Sequence, residues 1–288
     1  MEIPDMQHQV MGYDRSATMF SPDGHILQVE YAEKTIRLGT ASIGIKCSDG
    51  VVIIADKGIK DELIVKESAD KIYEIDEHIM ASAAGILSDA RILINQTRLI
   101  AQQHRVTYDS PIDVESVIRE ISDIKQQYTQ HPGVRPFGVA LMIAGKNTNK
   151  CKLYTSDITG NYFEYHAIAI GENDDRIKDE LRKEYRKDLT GESGIRLGLD
   201  IFRKILGNKF DIKRFSIGYI KNSEGKLKRY YYYRCTSTLR QHWQACSIKQ
   251  VSAERLENFV LENLERISVD KNYIENLVFR LNNDFQPP

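Results

Sequence analysis

A chain of 288 residues with 41% apolar side chains can bury a sizeable core, and its 28% charged residues sum to a formal net charge of −1, far from a disorder-like excess. That balance, with a pI near 6.7, excludes a whole-chain electrostatic footprint for nucleic acid or an anionic membrane, so any such contact needs a local patch. No apolar run approaches the ~18 residues of a membrane span, the opening MEIPDMQHQV lacks the basic-then-apolar pattern of a signal peptide, and Cys47, Cys151, Cys235 and Cys246 form no disulfide framework, so a soluble chain in the cytoplasm is expected.

In chain order, the first signal is the turn Phe20-Ser21-Pro22-Asp23-Gly24, where proline presets φ and Asp-Gly favours a tight reversal. Ile26, Val29, Tyr31, Ala32, Ile36 and Leu38 then interleave with charged residues, which predicts a helix laying one face on a partner. Residues 41–47 and 50–56 read as a hairpin of apolar and β-branched residues about Ser48-Asp49-Gly50. Strands at 71–75 and 78–84 bracket Asp76-Glu77, and Ser88 is placed to cap a helix over 89–104 with Ala90, Leu93, Ile94, Thr97, Ile100 and Ala101 on one side. A second helix starts near Asp113, with Val114, Val117, Ile118, Ile121 and Ile124 on its apolar face. Strand character returns at 136–144 and 152–154, Asp157-Ile158-Thr159-Gly160 makes a turn, and 161–170 reads as one further strand. Helices at 174–185 and 193–206 precede a strand pair, 214–220 with 226–232, across Asn222-Ser223-Glu224-Gly225. Strand block, helix pair, strand block, helix pair, strand pair argues for α+β, with helices covering two packed sheets.

The last 60 or so residues have a different character. Lys226, Lys228, Arg229, Arg234, Arg240 and Lys249 occur with no Asp or Glu from 226 to 249, beside four tyrosines at 230–233 and Trp243. Such a mix suits single-stranded nucleic acid or an acidic surface. The near-neutral chain and the continuity of the tyrosines with the final strand favour ordinary packing followed by a surface insertion, and nucleic acid is not expected as a partner. Ser252 opens an amphipathic pattern through Leu256, Phe259, Val260 and Leu264, and Ile274, Leu277, Val278 and Leu281 predict a second helix over 269–282. Cys235, His242 and Cys246 are three possible metal donors whose spacing and number fall short of a structural zinc site. His78, His104 and His166 read as packed or hydrogen-bonded side chains, and no phosphate-binding glycine loop is present, so no metal or cofactor is expected.

Five stretches carry a family resemblance: YDRSATMFSPDGHILQVEYAEKTIRL (13–38), GTASIGIKCSDGVVIIADKG (39–58), ESADKIYEIDEHIMASAAGILSDAR (67–91), YTQHPGVRPFGVALMIAG (128–145) and YTSDITGNYFEYHAIAIG (154–171). In content, order and spacing the chain to about residue 228 resembles the α-subunits of the proteasome core particle, archaeal in type. The resemblance implies a four-layer αββα sandwich of two antiparallel sheets, as in the N-terminal-nucleophile hydrolases, with an N-terminal helix and, here, extra C-terminal helices. It divides the chain into a gate tail at 1–12, an α-type domain at 13–235 and a C-terminal insertion and helical extension at 236–288 packed on that domain.

What the resemblance implies about function is a non-catalytic subunit in a seven-membered ring that stacks on β-subunit rings and gates substrate entry. Tyr13, Asp14, Arg15, Pro22 and Tyr31 match the turn and cluster that hold the gate. Lys71, with Gly85 and Ile86, matches the pocket that receives the hydrophobic-Tyr-X tail of an ATPase activator; an ammonium makes a charge-assisted bond to a carboxylate, and a glycine admits a close backbone. The rival is an active threonine peptidase of β type, with residues 1–39 as propeptide and Thr40, Asp56 and Lys71 as its catalytic group. Against it, the supposed propeptide is the α-type helix segment, Gly171-Glu172-Asn173-Asp174 has no serine where the β pattern has one, and QVEYA and RPFGV belong to the α pattern. Asp56 and Lys71 then read as a polar pair satisfying each other at a sheet end.

Overall fold

Apolar, β-branched runs without alternation mark strands covered on both faces, and GVVIIAD is the extreme case: every residue of strand β2 (Gly50–Asp56) is buried. A computed structural model describes residues 12–58, 63–148, 150–223, 227–229, 232–234 and 250–252. Its helices are α1 (Leu27–Leu38), α2 (Leu87–Tyr108), α3 (Val114–Gln130), α4 (Asp174–Glu184) and α5 (Gly191–Leu206). The other strands of the first compact unit, residues 1–229, are β1 (Ser42–Lys46), β3 (Ile72–Asp76), β4 (Ile79–Gly85), β5 (Val139–Lys146), β6 (Cys151–Ser156), β7 (Tyr162–Glu164), β8 (Ala167–Ile170), β9 (Phe215–Lys221) and β10 (Leu227–Arg229).

These strands form two five-stranded antiparallel sheets, in the orders β10-β9-β2-β1-β8 and β3-β4-β5-β6-β7. Their inner faces meet through Ile53, Met80, Met142, Leu153, Ile168 and Ile220. Contact is close where Gly44 sits, since a Cβ there would come within 2.6 Å of Met142 Sδ. On the outer face of the second sheet, Leu93 and Ile94 of α2 and Val117, Ile118 and Ile121 of α3 join Ile79, Leu141 and Ile143 in one core. The first sheet is covered by α4, against β8, and by α5, against β1, β2 and β9. Four layers, αββα, result, and α1 adds a flank by packing on β4 and β5. Residues 230–288 form a second unit whose described part is a strand pair, β11 (Tyr232–Arg234) with β12 (Gln250–Ser252).

Several local expectations change. The stretch 161–170 is two strands: β7 completes one sheet beside β6, and β8 completes the other beside β1. The switch falls at Tyr165 and His166, whose backbones still bond to Leu153 O and Lys46 N, both at 2.8 Å. Residues 226–232 likewise divide, with β10 on β9 and Tyr232 beginning β11 in the second unit. Helix α2 starts at Leu87 without a side-chain cap from Ser88, while α5 starts at Gly191 with Thr190 accepting from Ser193 N. Leu38, expected on the apolar face of α1, is exposed, whereas Val29 and Ala32 are buried as expected, together with Leu27. The helices expected after Ser252 and over 269–282 lie outside the described residues.

One buried cation ties the layers together. Lys125 of α3 is fully buried, and its ammonium donates to Ser156 O (3.1 Å), Ser156 Oγ (3.3 Å) and Asp157 O (2.6 Å). The same turn carries Ile158, which packs under α1 with Val29 and Ala32. Burial lowers the Lys125 pKa to about 7, with the charge of Asp157 opposing the shift. An unfolded chain keeps that proton to about pH 10. Between pH 7 and 10 the unfolded state therefore binds more protons, and this residue's contribution to stability rises with pH. Lys125→Met should fall further behind the unmodified chain across that window, by up to about 1.4 kcal/mol per pH unit. Denaturant titrations at pH 7, 8 and 9 check this, and a pH-independent difference would refute it.

Candidate functional site

Helix α1 runs into β1 through Gly39 and Thr40, and the junction is held on several sides. Gly39 N donates to Ile36 O (3.0 Å), and Gly39 O accepts from Glu172 N (2.7 Å). A Cβ on Gly39 would fall 2.3 Å from Gly85 N, so only glycine fits. Thr40 Oγ1 donates to Asp56 O and accepts from Lys71 Nζ, both at 2.7 Å, and the same ammonium donates to Thr40 O at 2.7 Å. Lys71 is only 3% exposed, and burial lowers its pKa to about 8 against the raising effect of Asp56. Thr40 and Lys71 thus meet, but the threonine nitrogen is an amide, which leaves no amine to act as a base.

Asp56 does not pair with Lys71, as the residue pattern had suggested. Its carboxylate takes a two-pronged contact from Arg214, Nε to Oδ1 at 2.9 Å and Nη2 to Oδ2 at 2.6 Å, and Oδ1 also accepts from Gly58 N at 2.9 Å. Arg214 had no signal of its own in the sequence beyond being a basic residue at the start of the predicted last strand. Its partnership depends on β9 pairing with β2, which places Phe215 opposite Asp56.

Lys71 and Gly85 lie at the same, open end of the hairpin made by β3 and β4, where Ile72 pairs with Ser82: Lys71 just before β3 and Gly85 the last residue of β4. Gly85 has φ +121°, and a Cβ there would come 2.2 Å from Gly138 O; the space it leaves is filled by this chain's own backbone. Ile86 N donates to the same carbonyl at 2.9 Å, and Thr35 Oγ1 of α1 donates to it at 2.9 Å. The RPFGV motif is explained here. Arg135 grips the buried Asp89 of α2 at 2.6 and 2.8 Å, and Gly138 N donates to the same carboxylate at 3.0 Å. The Arg135 bonds hold Asp89 below its ordinary carboxylate value, against burial and with help from Gly138.

At the N-terminal end, Tyr13–Arg15 form a 3-10 turn after Gly12, which has φ +77°. Pro22 lies in a tight turn closed by Ser21 N to His25 O (2.7 Å) and Gly24 N to Ser21 O (2.9 Å), with Gly24 at φ +83°. Tyr31 is half-buried on α1, its ring under the Lys34 ammonium at 5.3 Å. The tail expected as a gate, 1–12, lies outside the described residues except for Gly12. The three lone histidines have partners: His78 and His104 bond to the carbonyls of Ile112 and Ser110, and His166 stacks on Tyr185. Among the described residues no group of His, Cys, Asp or Glu could hold a metal ion, and no helix is long and apolar enough to cross a membrane.

The Asp56–Arg214 pair offers a direct test of how this centre is held. Asp56 is almost fully buried, so Arg214→Ala strands a carboxylate and should cost about 3–5 kcal/mol. Adding Asp56→Asn should recover a large part of that loss in thermal unfolding; no recovery would mean that Arg214 acts through packing instead.

Residues 36–220 match the family of proteasome subunits, and residues 13–34 match the N-terminal signature of A-type proteasome subunits. A third match, residues 214–265, is to the recombinase zinc beta ribbon domain. The chain is 44% identical over 219 residues to a proteasome alpha subunit of Methanosarcina acetivorans, covering 76% of this chain and 89% of the relative. It is 44% identical over 218 residues to the corresponding protein of Archaeoglobus fulgidus, covering 76% and 88%, and 46% identical over 192 residues to that of Methanocaldococcus jannaschii, covering 67% and 74%. The N-terminal signature falls on the 3-10 turn, the Pro22 turn and α1, and the larger match falls on the αββα sandwich; the chain belongs to the proteasome α-subunit family.

Proposed function

We propose that this chain is a structural, non-catalytic subunit of a proteasome core particle, working in the cytoplasm. It forms a seven-membered outer ring, stacks on rings of β-subunits and controls entry to their proteolytic chamber. The observation that carries this reading is α1: the helix within the A-type signature packs on β4 and β5 and runs directly into β1 through Gly39 and Thr40, and with that junction intact Thr40 has no free amine to act as a base. Residues 1–12 act as the gate, and Tyr13, Asp14, Arg15, Pro22 and Tyr31 set the direction in which that tail leaves the ring. Lys71, Gly85 and Ile86 form the pocket for an activator's C-terminal carboxylate. In that role the carboxylate competes with Thr40 O for the Lys71 ammonium.

Four outcomes test this assignment. Thr40→Ala should leave the peptidase rate of assembled particles unchanged, whereas a tenfold loss with assembly intact would restore the rival reading, an active threonine peptidase with residues 1–39 as its propeptide. Deleting residues 1–12 should speed hydrolysis of long peptides without an activator while leaving short-peptide hydrolysis unaltered; equal rates for long peptides before and after deletion would remove the tail from the gating role. Lys71→Ala should weaken binding of a hydrophobic-Tyr-X tail by about 2 kcal/mol or more, with native mass spectrometry confirming that rings still form. For the unmodified particle, tail-dependent stimulation should decline as pH rises above about 8, where the buried Lys71 loses its charge. Full stimulation of the Lys71→Ala particle would place the docking site elsewhere.

A further inference from the structure

The match to a zinc beta ribbon covers residues 214–265, and the fold cuts that stretch in two. Its first part is committed elsewhere. Strand β9 pairs with β2 along seven residues, from Gly50 opposite Lys221 to Asp56 opposite Phe215, and β10 pairs with β9. Residues 214–229 are thus the closing strands of the αββα sandwich, and they contain neither cysteine nor histidine. What remains for a ribbon is the second part, where β11 and β12 pair antiparallel, Tyr233 opposite Val251 and Arg234 opposite Gln250.

The donor chemistry of this stretch does not fit the metal that the match implies. A structural zinc site is closed by four protein ligands, as in zinc ribbons. Between 214 and 265 the chain has two thiols, Cys235 and Cys246, and one imidazole, His242. The other two cysteines, Cys47 and Cys151, are buried in the first unit. Their thiols are pushed up by that burial, to about 12 and about 11, which opposes the thiolate form a metal needs. A two-stranded ribbon without metal is marginal in water and needs apolar cover. Directly after β12 the chain offers one: Leu256, Phe259, Val260 and Leu264, at the spacing of one helical face.

We infer that the C-terminal unit keeps the strand pair of a zinc ribbon but not its metal. The test uses the full chain in its assembled form, purified without chelator. Zinc measured by plasma mass spectrometry should be far below one atom per chain. Limited proteolysis within 230–288 should proceed at the same rate with and without 1,10-phenanthroline, and equally in a Cys235→Ser/Cys246→Ser variant. One zinc per chain, or one per two chains through shared cysteine pairs, lost in the double variant, would overturn the inference.

Discussion

The peptide bond between Gly39 and Thr40 is the constraint on which the rest depends. It joins a helix end to the first strand of a sheet with no slack. Gly39 is held from its own helix by Ile36 O, from the far side by Glu172 N, and sterically by Gly85 N. A side chain at Gly39 would have to displace the backbone at the end of β4, so the entry angle of α1 and the position of the β3–β4 hairpin are set together. The same bond removes the amine that a threonine nucleophile needs. One covalent connection therefore fixes where the α-type helix lies and, while it stands, keeps the Thr40 nitrogen an amide.

In and around that junction, charged groups that are buried are each met by a partner. Lys71 caps Thr40, Arg214 neutralises Asp56, Arg135 neutralises Asp89, and Lys125 ties a helix to a turn. Each such group is costly to strand and cheap to keep once partnered. Together they fix which turn lies beside which helix, a specificity that close-packed apolar faces supply less sharply. The small residues add to this. Gly194 and Gly198 let α5 approach the first sheet until a Cβ would meet Cys47 Sγ at 2.7 Å and Ile54 Cδ1 at 2.4 Å.

Most of the element order could be read from the residues because the periods are clean: β2 is apolar without a break from Val51 to Ala55, and α3 shows a single face at Val114, Val117, Ile118 and Ile121. Two failures have a common physical origin. In 161–170 and 226–232 the strand character is continuous, so local pattern carries no sign that the hydrogen-bonding partner changes midway. Sheet membership is a long-range property. Side-chain caps fail similarly: Ser88 has the right type and place, yet α2 begins at Leu87, and Asp89 is taken by Arg135 far along the chain. At the centre, Thr40, Asp56 and Lys71 were legible as neighbours through the family resemblance. Arg214 was not, because only the pairing of β9 with β2 brings it there.

That pairing also governs the order of events during synthesis. Strand β2 lies in the middle of its sheet, but its neighbour β9 is among the last segments of the sandwich to leave the ribosome. Until then a largely apolar strand has one hydrogen-bonding edge unsatisfied, while the β3–β7 sheet and helices α2 and α3 are already complete in sequence. An open apolar edge is a template for pairing with another nascent chain. A subunit whose fate is to stand beside copies or relatives of itself must therefore fill its own sheet before it meets them, and the final hairpin acts as the stopper that separates folding from assembly.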